Sequence, residues 1–205
     1  MKKEKTIVNT AVLVSGGGTN LQALINASAR GELPHVKISL VLSSKEGTYA
    51  LERAAAAGIP AFAVSKKKLG DQEAFEAALR KKLDEYKIEM IVLAGFLSIL
   101  SGDFIRRYEN RIINVHPSLI PAFCGEGYYG LKVHEAALAR GVALTGATVH
   151  FVNEIPDGGP IIAQKAVRVY PSDTPEKLQK RVMRQAEWKL LPAALEKVAA
   201  ALTQR

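Results

Sequence analysis

Asn114 and His116 stand two residues apart at the end of an apolar run, Arg111-Ile112-Ile113, that reads as a short strand. Side chains alternate along a strand, so the carboxamide and the imidazole project from one face. Pro117 ends the strand and fixes the exit of the chain. An Asn beside a His can polarise a carbonyl and handle a proton, which makes acyl transfer the candidate chemistry. Asp157 is the natural third member. It lies in Asn153-Glu154-Ile155-Pro156-Asp157-Gly158-Gly159-Pro160, between two strand-like runs. Taken alone, Asp-Gly-Gly-Pro is a turn. Beside His116 its carboxylate would favour the imidazolium and accept a proton through water. Glu154 is the weaker candidate for the same role.

A second constellation follows the first strand. Ser15-Gly16-Gly17-Gly18-Thr19-Asn20 leads into a helix, where backbone N–H groups converge and the helix N-terminus favours an anion. Thr19 and Asn20 can cap that helix or bond phosphate oxygens. No Gly-Lys-Ser/Thr ending is present, so the loop is not a nucleotide P-loop. Gly16 and Gly18 fit the first two glycines of a dinucleotide fingerprint, but Leu21 holds the third position. No acid ends the second strand, where Ser43-Ser44-Lys45 stand instead. A single phosphate is the better fit.

The remaining reactive side chains point elsewhere. His35 and His134 read as structural, and His150, between Val149 and Phe151, faces either core or site. Cys124 has no base near it in sequence, and Ser15 is not in a Gly-x-Ser-x-Gly elbow. No His, Cys, Asp or Glu group has zinc spacing, so no metal is expected.

These groups need a frame, and the periodicity supplies one. Strands are expected at residues 10–14, 36–42, 61–64, 91–94 and 111–115. Helices are expected at 20–30, 48–57 (capped by Thr48), 71–86 and 104–108. Strands and helices in alternation predict an open, mostly parallel, Rossmann-like α/β sheet with helices on both faces. The pattern changes after the loop at 117–130. A helix at 133–140 precedes runs at 147–152 and 161–169, which predict an antiparallel C-terminal part. Residues 174–202 read as mostly helical, with Pro192 kinking or restarting the helix. Without repeats or linkers, residues 1–205 are expected to form one domain. Its phosphate-binding half would be about 1–110 and its catalytic half about 111–205.

Composition narrows the classes. The chain has 205 residues, 48% of them hydrophobic and 23% charged, an ordinary globular balance. A lone cysteine excludes an internal disulfide and fits a reducing cytoplasm. The basic start, residues 1–5, ahead of apolar residues 6–14 has no cleavage site and is followed by the Gly turn, against a signal peptide. No run reaches a membrane span. The net charge of +8 could suit nucleic acid, but aromatics are only 6% and basic residues are dispersed. Small anionic substrates are the expected partners, not nucleic acid or membrane.

With the Gly loop, Asn-x-His-Pro-Ser and Asp-Gly-Gly-Pro in that order, the chain resembles the phosphoribosylglycinamide formyltransferase family. The resemblance runs from about residue 10 to residue 202. It includes Ser15-Gly16-Gly17-Gly18-Thr19-Asn20-Leu21-Gln22, Leu93-Ala94-Gly95-Phe96-Leu97, Asn114-Val115-His116-Pro117-Ser118-Leu119-Ile120-Pro121 and Thr148-Val149-His150-Phe151-Val152. The His-Pro-Ser segment is shared with other 10-formyltetrahydrofolate enzymes, whereas the Gly loop is more particular. The resemblance implies Asn114, His116 and Asp157 as the catalytic trio. It implies Gly17, Gly18, Thr19 and Asn20 on the ribotide phosphate and Glu187 on the ribose. Phe96, Leu97, Ile99 and Leu100, with the backbone of Asn153, Glu154 and their neighbours to Asp157, would bind the pterin. Ser98 stands where relatives often carry Arg, and residues 182–187 are one residue longer than in some relatives.

The implied activity is transfer of formyl from 10-formyltetrahydrofolate, a co-substrate, to the amine of glycinamide ribonucleotide in purine synthesis. Asn114 and protonated His116 would bind the oxyanion, and Asp157 would hold His116 charged and pass a proton via water. Neither metal nor redox cofactor is expected. Lys66, Lys67 and Lys68 are weaker candidates for the folate's glutamate tail. A monomer and a homodimer are both compatible with the sequence. Rivals are hydrolysis of the same donor and methionyl-tRNA formyltransferase, both disfavoured by length and by the Gly loop. A ligand-binding module without chemistry is a third. A formate- and ATP-using enzyme would need a larger domain.

Overall fold

In the computed structural model, residues 7–204 are described, and the basic residues 1–5 weighed above lie outside that range. The chain runs β1 (Val8–Val14), α1 (Thr19–Ala29), β2 (Val36–Ser43), α2 (Tyr49–Ala56), β3 (Ala61–Ala63), α3 (Lys66–Leu69), α4 (Gln72–Glu85) and β4 (Met90–Leu93). It continues through α5 (Gly102–Arg107), β5 (Ile112–His116), α6 (Leu131–Arg140), β6 (Leu144–Phe151), β7 (Ile161–Arg168) and α7 (Pro175–Val182). A π-helical turn, Met183–Glu187, then joins α7 to α8 (Trp188–Leu202).

The strands form one sheet in the order β3-β2-β1-β4-β5-β6-β7. Pairings from β3 through β5 are parallel, and β6 and β7 add on antiparallel. The central strands are apolar because helices cover both their faces. Val12 and Val14 pack with Leu21 and Leu24 of α1 and Leu191 and Leu195 of α8. Ala11 and Leu13 point the other way, onto Phe75, Leu79 and Leu83 of α4 and Phe104 of α5. Burying such a Leu or Phe contributes about 1.5–3 kcal/mol each, so this double layer is the main source of stability. The strand order reverses between β1 and β4. A crevice opens there, outside the carboxyl ends of the strands, where open α/β sheets bind ligands.

Three expectations need correction. Thr48 makes no capping bond to α2; its hydroxyl lies 2.9 Å from Ser43 Oγ instead. The C-terminal irregularity lies ahead of Pro192, which sits inside α8. Proline lacks an N–H and crowds the carbonyl four residues back, here Trp188, the residue directly after the π turn. β6 begins at Leu144, earlier than the run at 147–152. Gly146 hides that start from any apolar pattern, and a Cβ there would stand 2.1 Å from the Lys165 carbonyl oxygen.

Candidate active site

A cavity of about 780 Å³ opens at the carboxyl ends of β1, β4 and β5. Gly16–Asn20 line one end, Phe96, Leu97 and Ile99 one wall, and Asn114, His116 and Asp157 the far corner. A larger groove of about 960 Å³ lies at the other end of the strands, by Arg111, Phe151 and Ile161, without such a cluster.

The corner is built by strand register. β5 and β6 pair antiparallel with Asn114 opposite His150 and His116 opposite Thr148. His150 Nδ1 donates to the Phe151 carbonyl at 2.8 Å, and its Nε2 lies 3.1 Å from Asn114 Nδ2 and 3.5 Å from Asp157 Oδ1. The same amide lies 3.3 Å from Asp157 Oδ1. Asp157 Oδ2 accepts from the Gly125 N–H at 2.9 Å and lies 3.3 Å from His116 Nδ1. His116 Nε2 donates to the Phe123 carbonyl at 2.8 Å. A carbonyl can only accept, so the neutral imidazole carries its proton on Nε2 and turns the Nδ1 lone pair toward the Asp157 carboxylate. That contact is favourable only with a second proton between Nδ1 and Oδ2. Nδ1 is therefore the nitrogen at which a proton can be gained or lost.

Burial acts on both partners. It pushes His116 below its ordinary pKa against the opposing pull of Asp157 and the Phe123 carbonyl. It pushes Asp157 upward, but hydrogen bonding by His150, the His116 charge and the Gly125 N–H outweigh it, leaving Asp157 below its ordinary value. Two acceptors face the His116 ring, so an imidazolium, once formed, is held by the Asp157 carboxylate and the Phe123 carbonyl. Asp157 and Phe123 hold φ of 55° and 51°, a left-handed backbone that costs non-glycine residues about 1–3 kcal/mol and clusters at functional sites. Gly159 permits this loop, because a Cβ there would meet the Phe151 carbonyl oxygen at 1.8 Å.

At the opposite end, Gly18 precedes α1 with φ 70°, and a Cβ there would stand 2.7 Å from the Ala50 Cβ. Arg53 Nε holds the Gly17 carbonyl at 2.9 Å. The first N–H groups of α1 have no partner within the helix and provide anion donors. Asn20 does not cap the helix. Its Nδ2 donates to Glu187 Oε2 at 2.6 Å, which leaves Oδ1 as the free atom of its amide. Asn20 can therefore offer a phosphate its backbone N–H and a ribose hydroxyl its side-chain oxygen. Glu187, on the π turn, is 6% exposed, and burial pushes its pKa up to about 7 despite the Asn20 bond.

The third wall is the loop after β4. The Ser15 hydroxyl accepts the Leu97 N–H at 2.8 Å, which ties this loop to the Gly loop. Buried Glu76 on α4 accepts the Ser101 N–H and hydroxyl, each at 2.6 Å. Leu97 and Ile99 are left 53% and 74% exposed at the mouth, apolar surface suited to a flat ring.

Not every expected residue reaches the cavity. Leu100 turns into the core beside Phe75 and Phe104. Asn153 folds back to accept the Ile155 N–H at 3.1 Å. Glu154 is exposed and pairs with Arg106, away from His116, so Asp157 alone fills the acid position. The Ser118 hydroxyl donates to the Ala122 carbonyl at 2.5 Å, which gives the Ser of His-Pro-Ser a loop-forming role. Conversely, His134, Lys132, Tyr128, Tyr129, Gln179 and Met183 all line the cavity. His134, expected to be structural, is among them. The only sequence signal for these residues is their closeness to the loop at 117–130 or to Glu187. Among the described residues, no group of three or more His, Cys, Asp or Glu side chains is arranged to hold a metal ion. No described helix is long and apolar enough to cross a membrane.

Comparison with known proteins bears on this geometry. The formyl transferase family model matches residues 8–195. The chain is 45% identical over 197 residues to the trifunctional purine biosynthetic protein adenosine-3 of Gallus gallus, covering 96% of this chain and 19% of that protein. It thus spans about one-fifth of that relative's length. It is 39% identical over 174 residues to the chloroplastic phosphoribosylglycinamide formyltransferase of Arabidopsis thaliana, covering 84% of this chain and 59% of that protein. Among solved structures, glycinamide ribonucleotide transformylase 1 of Symbiobacterium toebii superposes with a TM-score of 0.90 at 36% identity, covering 98% of this chain and 92% of that one. Phosphoribosylglycinamide formyltransferase of Brucella melitensis gives 0.86 at 42% identity, covering 95% and 97%. The chain belongs to the formyl transferase family, within the group that contains the phosphoribosylglycinamide formyltransferases.

Proposed function

We propose that this protein transfers the formyl group of 10-formyltetrahydrofolate to the amine of 5'-phosphoribosylglycinamide in purine synthesis. The products are formylglycinamide ribonucleotide and tetrahydrofolate. The observation that carries this reading is the Asn114, His116 and Asp157 cluster at one end of a cavity whose other end is a Gly loop with buried Glu187.

The ribotide phosphate rests on the N–H groups of Gly17, Gly18, Thr19 and Asn20, and Glu187 with the Asn20 oxygen takes the ribose hydroxyls. The folate ring lies against Phe96, Leu97 and Ile99. The amine nitrogen attacks the formyl carbon, and the carbonyl electron pair moves onto oxygen. The Asn114 amide and protonated His116 stabilise that oxyanion. Asp157 keeps His116 charged and, through water, carries the proton lost by the amine to the leaving N10 as the C–N10 bond breaks. Holding both substrates in one cavity supplies the proximity such a reaction needs. The two halves of the chain divide this work, residues 1–110 holding phosphate and residues 111–205 the catalytic groups. The lone thiol, Cys124, suits a reducing cytoplasm as the setting.

The test is folate turnover with and without glycinamide ribonucleotide. Ribotide-dependent turnover supports the transferase. Turnover without ribotide points to a hydrolase, and no turnover in either condition leaves a binding module.

A further inference from the structure

His134 lies in the first turns of α6 and is 0% exposed, yet it lines the active-site cavity. Neither ring nitrogen has a hydrogen-bond partner among the described residues. Buried polar groups are almost always paired, so an unpaired ring facing a cavity marks a place where a ligand atom belongs. Burial, reinforced by the nearby His116, lowers its pKa to about 4. At neutral pH the ring therefore has one N–H donor and one lone-pair acceptor.

Position selects the ligand group. α6 packs against α7, and α7 with the π turn contributes Gln179, Met183 and Glu187 to the same cavity. His134 thus shares one cavity with Glu187 and lies near His116 of the catalytic corner. A phosphate or an oxyanion would use only a donor. A carboxamide has an acceptor oxygen and a donor N–H, and matches a neutral imidazole on both counts.

We propose that His134 is a substrate-binding residue that hydrogen-bonds the amide of the glycinamide group. This rests on the ribotide reading above. It makes His134 a selector for an amide-bearing ribotide, upstream of the formyl transfer itself.

The test compares wild type, His134→Leu and His134→Gln in steady-state formyl transfer. His134→Leu raises the KM for glycinamide ribonucleotide about 10-fold, the loss of a hydrogen bond to a buried partner, and leaves the folate KM unchanged. His134→Gln keeps a donor and an acceptor and recovers most of that loss. As a check that needs no variant, the nitrogen-15 resonances of the His134 ring in wild type shift when glycinamide ribonucleotide is added. Unmoved resonances, or a ribotide KM equal in all three proteins, overturn the proposal. So does a fall in kcat alone, or an equal rise in both KM values, which would mark a structural role. An inactive wild type that also fails to bind the ribotide would instead sink the functional reading, and this proposal with it.

Discussion

Asp157 and Glu187 are carboxyls facing one cavity, and their surroundings drive them in opposite directions. Asp157 meets His150, His116 and the Gly125 N–H, and these hold it below its ordinary pKa against burial. Glu187 is buried with one neutral partner, Asn20, and rises to about 7. The catalytic corner is thus completed by the protein's own charges before substrate arrives. The Gly-loop end is left partly unsatisfied, with Asn20 Oδ1 unpartnered and open to a ligand's hydroxyl. One end is preorganised for chemistry, and the other pays for recognition with stability.

The comparison breaks most visibly at the catalytic corner. Asp157→Asn removes the charge that holds the His116 proton, and turnover falls about 1000-fold or more with both KM values little changed. Asn114→Ala removes one oxyanion donor and lowers kcat about 100- to 1000-fold. Single-turnover formyl transfer measures both. Equal losses of kcat in Glu187→Gln would erase the distinction between the two ends.

Glu187→Gln is expected to act on binding and stability instead. The ribotide KM rises about 10-fold, as for one lost charge-assisted hydrogen bond. Stability rises at alkaline pH. The folded pKa, about 7, lies above the ordinary value of 4.5, so the native state binds more protons than the unfolded state between those limits. Wild type therefore loses stability as pH rises from 4.5 to about 7, to the order of 3 kcal/mol, and Glu187→Gln does not. Urea unfolding of both proteins from pH 4 to pH 8 checks this. A constant difference between them across that range would contradict it.

Gly18→Ala tests the Gly loop. The residue has φ 70° and no room beside Ala50, so a loss of about 1–3 kcal/mol in stability is expected, with weaker ribotide binding. The smallest effect belongs to α3. Lys66, Lys67 and Lys68 are exposed, and Lys68 already pairs with Glu46. Replacing them by Ala is expected to change the folate KM less than about twofold, since exposed ion pairs contribute little.

Much of the catalytic corner was legible in the sequence because its signals are local. Alternation in β5 places Asn114 and His116 on one face, and Pro117 marks the strand end. Asp157 stood out because a turn acid completes the chemistry of an Asn/His pair. His150 stayed ambiguous, since only the β5–β6 register, a long-range pairing, puts it opposite Asn114. Leu100 and Ile99 differ by one residue, yet one faces the core and the other the mouth. Loop conformation decided that, and no periodicity encodes it. His134 and Gln179 reach the cavity through the packing of α6 on α7, which neither helix reveals alone. The π turn that carries Glu187 lies within a run that reads as continuous helix.

The opposed states of the two carboxyls are the centre of this account. They are read directly by carbon-13 NMR titration of the Asp and Glu side-chain carboxyls in ligand-free protein. The expected result is a midpoint near 7 for Glu187 and one below the ordinary aspartate value for Asp157. Glu187 titrating near 4.5, or Asp157 titrating above its ordinary value, would contradict it.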